Sequence, residues 1–231
     1  MTSDDYFSLR NIDAGYYTNY KVPSYILSRL SKDSAILDFG CGFGQLLVAL
    51  KNDGFTHLEG ADVDPQAIRH VSSTGIIVHD VREDQHFYEN QANSYDFIVL
   101  SHVLEHLPKV EIISRLHQIR SLLKPDGQLL AMVPNAQSNT GCYWAYEDFT
   151  HTTLFTAGSV YYVLRAAGFS HVDFIDIDCT AGMTPFRKLF KKTLLGLYRY
   201  NISFWNKVTG SAFHSPSPRI FSYEIKTVAR P

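Results

Sequence analysis

The sequence is short of cysteine, of long apolar runs and of any marked charge excess. Its three cysteines, Cys41, Cys142 and Cys179, are odd in number and lack C-x-x-C spacing, which argues against a disulfide framework and a thiolate zinc site and points to a reducing compartment. The longest apolar stretches, such as 97–100 and 129–133, fall far below the roughly 18 residues of a membrane span. The opening MTSDDYFSLR begins with acids and has neither the basic nor the apolar region of a secretory signal, so a cytoplasmic location is expected. There is no internal repeat or low-complexity tract. Lysine and arginine number 21 against 23 aspartates and glutamates, a formal charge of −2.

What is present suits a globular fold. At 231 residues, with 45% hydrophobic and 19% charged residues, the chain can bury a core and is sized for one large domain or for one domain plus an appendage. From 35 to 178, short apolar runs alternate with amphipathic stretches, which predicts a doubly wound α/β sheet with helices on both faces. Strands are expected at 35–39, 57–61, 75–79, 95–101, 127–134 and 171–178, and helices at 44–52, 65–73, 83–92, 108–123 and 158–167, punctuated by Gly54, Pro125, Gly127 and Gly168. Asp64, before Pro65, reads as a helix N-cap. Two flanks lie outside this repeat. Residues 1–33 form an arm with Tyr16, Tyr17 and Tyr20 and a helix at 23–30. Residues 179–219 hold seven bases and no acid, which leaves the rest of the chain at 14 minus 23, or −9. Within that segment apolar residues recur at helical spacing over 184–201, predicting an amphipathic helix before a last strand at 220–228.

The chemistry is concentrated where the first strand ends. Gly40, Gly42 and Gly44 follow it as G-x-G-x-G and open a helix, a turn in which backbone N–H groups can approach a ligand. The spacing departs from the dinucleotide fingerprint G-x-G-x-x-G, which disfavours NAD. Asp62, 18 residues beyond Gly44 at the end of the second strand, can accept the hydroxyl protons of a ribose. Asp80 ends the third strand, where it or its neighbour can meet the exocyclic amine of an adenine. A nucleoside held by acids and glycine amides, with no lysine or arginine in the glycine turn, points to S-adenosylmethionine. Cys41 reads as a small packing residue.

Taken together, LDFGCGFG (37–44), GADVDP (60–65), HD (79–80), YDFIVLSHVLEHL (95–107) and LLKPDGQLLAMVPN (122–135) resemble the class I S-adenosylmethionine-dependent methyltransferases, including those of ubiquinone biosynthesis and of bacterial surface-polysaccharide and small-molecule pathways. The resemblance implies a Rossmann-like seven-stranded sheet of order 3-2-1-4-5-7-6 with the last strand antiparallel, in a domain at 34–231 carrying the basic 179–219 insertion. It further implies that Asp38 and Gly40 contact the methionine portion, Asp62 the ribose, and Asp80 with Val81 the adenine. Ser101 and His102 would line the reactive end. Tyr16, Tyr17 and Tyr20 either close over the cofactor or pack an otherwise loose arm.

His102, Glu105 and His106 stand at i, i+3 and i+4 and share one side if the chain is helical by His102. H-x-x-E-H is also the inverted zinc-protease motif, giving a metal hydrolase as an alternative. The same residues resemble the E-x-x-E-H metal variant of some O-methyltransferases. His102 departs from it, and His151 is then the later ligand. The four residues would form a divalent-metal site suited to zinc, iron, nickel or manganese. Alternatively, His102, Glu105 and His106 only wall the pocket and His151 is an exposed loop histidine. Without a metal, His151 is the first candidate for general base, then His106, then Asp148. The aromatic stretch 142–155 suits a sugar or planar acceptor. The expected function is O-methylation of a small molecule, anionic or sugar-containing, such as a phosphate-bearing glycan precursor. The basic segment could attract that acceptor or rest peripherally on an anionic membrane. An RNA methyltransferase is the alternative, but the net charge and lack of an RNA module argue against a stable nucleic acid complex.

Overall fold

A strand with no polar face has to sit inside a sheet, and Ile36–Phe39 (β1) is buried at all four positions. In the computed structural model, which describes residues 6–10, 12, 15, 20–212 and 218–231, β1 pairs in parallel with Leu58–Asp62 (β2) on one side and Tyr95–Ser101 (β4) on the other. Ile77–Asp80 (β3) extends the sheet beyond β2, and Leu123–Pro134 (β5) extends it beyond β4. His171–Phe174 (β6) and Glu224–Arg230 (β7) complete it, with β7 antiparallel to both β5 and β6. The order is β3-β2-β1-β4-β5-β7-β6, as the resemblance implied.

Alternation along the strands divides the core into two layers. Leu37, Phe39, Ile98, Leu100, Leu129 and Ala131 point to one face, where Ile112–Leu122 (α6) and Ala157–Ala166 (α8) supply Leu116, Ile119, Val160 and Leu164. Ile36, Phe97, Val99, Leu130 and Met132 point to the other, against Leu47 and Leu50 of Gln45–Asn52 (α3) and Val71 of Pro65–Ser73 (α4). Asp64 caps α4 as expected, its Oδ1 accepting the amides of Gln66 and Ala67 at 2.8 and 3.0 Å. Four further helices are Tyr6–Leu9 (α1), Ser24–Leu27 (α2), Phe87–Asn90 (α5) and Gly141–Glu147 (α7). The last is Pro185–Thr209 (α9), between β6 and β7.

Several boundaries differ from the sequence pattern for local reasons. The strand read as beginning at 127 starts at Leu123, because the chain extends directly through Pro125, which disfavours helix in the residue before it. The helix read at 83–92 shrinks to α5, and the arm helix at 23–30 shrinks to α2 with Pro23 as its N-cap. The amphipathic helix continues past 201 to Thr209 and stops at Gly210, whose φ of +68° is a left-handed helix end. Residues 220–222 are buried or nearly so but precede the last strand instead of forming it. The side-chain amide of Asn135 donates to the carbonyls of Ile220 and Ser222 at 2.8 and 2.7 Å, taking the place of ladder partners. Tyr16 and Tyr17 lie outside the described residues.

Asn135 therefore ties the end of β5 to the start of β7, and its Oδ1 also accepts the Gln137 amide at 2.9 Å. It is 0% exposed. Asn135→Ala would leave two buried carbonyls without donors and is expected to lower stability by about 2–4 kcal/mol, read as a reduced denaturant midpoint at unchanged slope. A loss below about 0.5 kcal/mol would show that the tie is dispensable.

Candidate active site

Three acids share one sheet edge because β1, β2 and β3 run parallel and end together. Asp38 lies in β1, while Asp62 and Asp80 are direct neighbours at the ends of β2 and β3. The turn after β1 is shaped for close approach. Gly40 has φ +80° and donates its N–H to Ala61 O at 2.7 Å, and a Cβ there would lie 2.3 Å from Val103 Cγ2. Gly44 opens α3 at φ +76°, and its Cβ would lie 2.7 Å from Val71 Cγ2. No other residue fits either position without displacing its neighbour.

Asp62 is fixed by three amides. Its Oδ2 accepts from Gly42 at 2.8 Å, and its Oδ1 accepts from Val63 and Asp64 at 2.7 and 2.9 Å. Burial nevertheless raises its pKa above the ordinary value, against the lowering by those amides. Asp38, 5% exposed, is pushed up to about 7 by burial and by the Asp62 charge. Asp80 has its Oδ1 engaged by the Arg82 amide at 3.0 Å, and the Val81 amide donates to Asp62 O at 3.1 Å. The arm reaches this turn: the ring of Phe7 of α1 packs tilted against that of Phe43, with centroids 4.7 Å apart. Tyr20 is governed by the same site, its phenol pushed up to about 12 by burial, then by the charges of Asp38 and Glu224.

Beside the acids runs a chain of alternating charges. His102, directly after Ser101 at the end of β4, has φ +54° and precedes the 3-10 turn Leu104–His106, so the helical premise behind its ligand role fails. Its Nδ1 lies 3.1 Å from Glu105 Oε1 and its Nε2 lies 2.8 Å from Glu224 Oε1. The His102 side chain is 45% exposed, yet its surroundings desolvate it enough to oppose a charge. The carboxylates of Glu105 and Glu224 outweigh this and raise its pKa to about 10. Both His102 nitrogens face carboxylates, and among the described residues the ligand atoms that gather within 4.8 Å belong to Glu105, His106 and His151, without His102. Glu224 continues to Lys226, whose ammonium lies 2.8 Å from Glu224 Oε2, 3.4 Å from Asp176 Oδ2 and 3.0 Å from Cys179 Sγ.

A second cluster faces Glu105 from the loop after α7. Glu105, His106 and His151 each offer one ligand atom, all within 4.8 Å of one another, and the two imidazole centroids are 4.7 Å apart. His151 is no exposed loop histidine: its side chain is 6% exposed. Its Nδ1 sits 2.6 Å from Trp144 O, a group that can only accept, so the proton is assigned to Nδ1 and Nε2 carries the basic lone pair. Asp148 Oδ1 accepts the Thr150 hydroxyl at 2.6 Å, and that hydroxyl is 2.8 Å from His106 Nδ1. Asp148 is also ion-paired with Arg10 of the arm, which makes it an anchor instead of a free base. Burial lowers the pKa of His106. Glu105 Oε2, Trp144 Nε1 and Thr153 Oγ1 are buried without a hydrogen-bond partner, an arrangement that an incoming polar group would satisfy.

Glu224, Lys226, Thr150 and Arg10 were not singled out from the sequence. Glu224 and Lys226 did leave a trace, since E-x-K at the start of a buried strand puts two opposite charges on one face.

Seven strands in this order, with a glycine turn after β1 and acids ending the next two, define the class I methyltransferase fold. A family model described as a methyltransferase domain matches residues 16–173, and the chain belongs to that family of S-adenosylmethionine-dependent enzymes. Over 118 residues it is 30% identical to mouse mitochondrial arginine-hydroxylase NDUFAF5, which covers 48% of this chain and 33% of that relative, so the chain spans about a third of its length. Among solved structures, a methyltransferase from Archaeoglobus fulgidus is similar with a TM-score of 0.64 at 18% identity, covering 90% of each chain. A phosphoethanolamine N-methyltransferase from Haemonchus contortus gives 0.62 at 13% identity over all of this chain and 60% of its own.

A histidine held between two carboxylates titrates late. Its ion pairs support the folded state fully below the ordinary value of roughly 6.5, and that support is lost as pH rises through about 10. Proton NMR of the His102 ring is expected to show an imidazolium unchanged from pH 6 to pH 8. A midpoint near 6.5 would remove the pairing.

Proposed function

We propose that this chain transfers the methyl group of S-adenosylmethionine to a hydroxyl of a small molecule, a sugar or phosphate-bearing glycan precursor. When bound, S-adenosylmethionine supplies a methyl group already activated by its sulfonium. The chain's own residues then bind, orient and move one proton. Asp38 and Gly40 meet the methionine portion, Asp62 the ribose, and Asp80 with Val81 the adenine, while Ser101 and His102 border the reactive end. The arm lies against the turn through Phe7 and against Asp148 through Arg10, with Tyr20 near Asp38.

The observation that carries the acceptor half is the buried His151 imidazole with Nδ1 committed to a carbonyl. Its Nε2 can take the proton of a hydroxyl as that oxygen bonds to the methyl carbon, and Asp148, 3.8 Å from Nε2, favours the resulting imidazolium. His106, held through Thr150, sits beside it. Tyr143, Tyr146 and Phe149, all exposed, offer ring faces for a sugar at the mouth.

A second reading is favoured by Glu105 Oε2, buried and unpartnered beside two imidazoles. Glu105, His106 and His151 fit a borderline divalent cation, which would polarise the acceptor oxygen. His151→Ala is expected to lower turnover by about 10²–10⁴-fold with cofactor affinity largely retained, measured against a panel of nucleotide-linked sugars. Undiminished turnover would remove the base, and activity lost to a chelator and restored by metal would favour the second reading.

A further inference from the structure

We infer that α9 is a docking surface for an anionic lipid bilayer. The helix is 25 residues long and none of them is buried. It is held to the body by one side: Lys191 Nζ donates to Cys179 O at 2.7 Å, Arg199 is ion-paired with Asp178, and the rings of Tyr198 and Phe221 meet edge-on at 5.7 Å. The opposite side is apolar. At 3.6 residues per turn, Phe186, Leu189, Phe190, Leu197, Phe204 and Val208 fall within one arc of about 100°, and each is 49% to 79% exposed. Trp205 and Tyr200 flank the stripe with the amphipathic rings favoured at a membrane–water boundary.

This reverses the usual arrangement of a surface helix, which turns its apolar stripe to the core. The stripe recurs along about six turns of the helix, yet α9 is not apolar enough to cross a membrane.

Charge selects the occupant. The 179–219 segment carries seven bases and no acid, whereas the rest of the chain sums to −9. A second copy of α9 would set bases against bases with no acid to pair them. Nucleic acid would meet the bases but leave the stripe in water. An anionic bilayer meets both, with the stripe at the acyl boundary and the bases not engaged with the body, Lys188 and Lys192 among them, at the headgroups. The inference stands apart from the identity of the acceptor.

The test is flotation of the full chain with vesicles of equimolar phosphatidylcholine and phosphatidylglycerol, and with vesicles of phosphatidylcholine alone. Binding is expected to the mixed vesicles only. It should fall about fivefold for each base neutralised in Lys188→Gln and Lys192→Gln, and disappear in the pair Leu197→Glu with Phe204→Glu. Circular dichroism and S-adenosylmethionine affinity should match wild type, since these side chains touch neither core nor site. Should the acidic pair fail to fold, the glutamine variants decide alone. No flotation, equal flotation with both vesicle types, or a dimer that the acidic pair dissolves without vesicle binding would each overturn the inference.

Discussion

Two carboxylates are buried at one glycine turn, and the rest of the site is built around that fact. Burial raises the cost of ionising both, and the Asp62 charge adds to that cost at Asp38. Asp62 is compensated by three amides from the turn and from the start of α4, whereas Asp38 is left near neutrality in its titration. Such a pair is costly in an empty pocket and well suited to one that receives a nucleoside carrying positive charge. The glycines follow from the same need, since the Gly42 amide reaches Asp62 only if the backbone turns where Val103 and Val71 leave no room for a Cβ.

The far side of the edge handles charge differently. There the acids are matched by His102 and Lys226 in an alternating chain that stitches β4 to β7. Pairing of this kind contributes less to net stability than to fixing geometry. Glu105 also lies against the His106 and His151 imidazoles, so one carboxylate belongs both to the charge chain and to the histidine cluster. Arg10 closes the circuit from the arm by pairing with Asp148. The arm thus reaches both the glycine turn, through Phe7, and the histidine cluster, through Arg10.

Much of this was legible in the residues themselves. The doubly wound α/β pattern followed from the alternation of apolar runs, the strand order from the family resemblance that the ordered motifs carry, and Asp62 and the glycines from their spacing. His102 was misplaced because its i, i+3, i+4 relation to Glu105 and His106 assumes a helix, while the chain enters a left-handed turn there and begins only a 3-10 turn two residues later. His151 was legible as a residue but not as a buried one, since its burial depends on α7, a short helix whose aromatic-rich sequence has no clear period. The second partner of His102, Glu224, comes from β7, 122 residues away, and no local pattern announces a pairing of that range. The reach of α9 was underread for the opposite reason: its stripe continues through Phe204 and Val208 beyond the point where the spacing was followed.

Titration calorimetry of S-adenosylmethionine at pH 7 in buffers of differing ionisation heat tests the paired acids most directly. A cation seated at Asp38, which is poised at about 7, should drive its carboxyl to the ionised form. Binding is then expected to release about half a proton per site and to tighten as pH rises from 6 to 8, with both effects absent in Asp38→Asn. Heats independent of buffer, with affinity flat across that range, would contradict it.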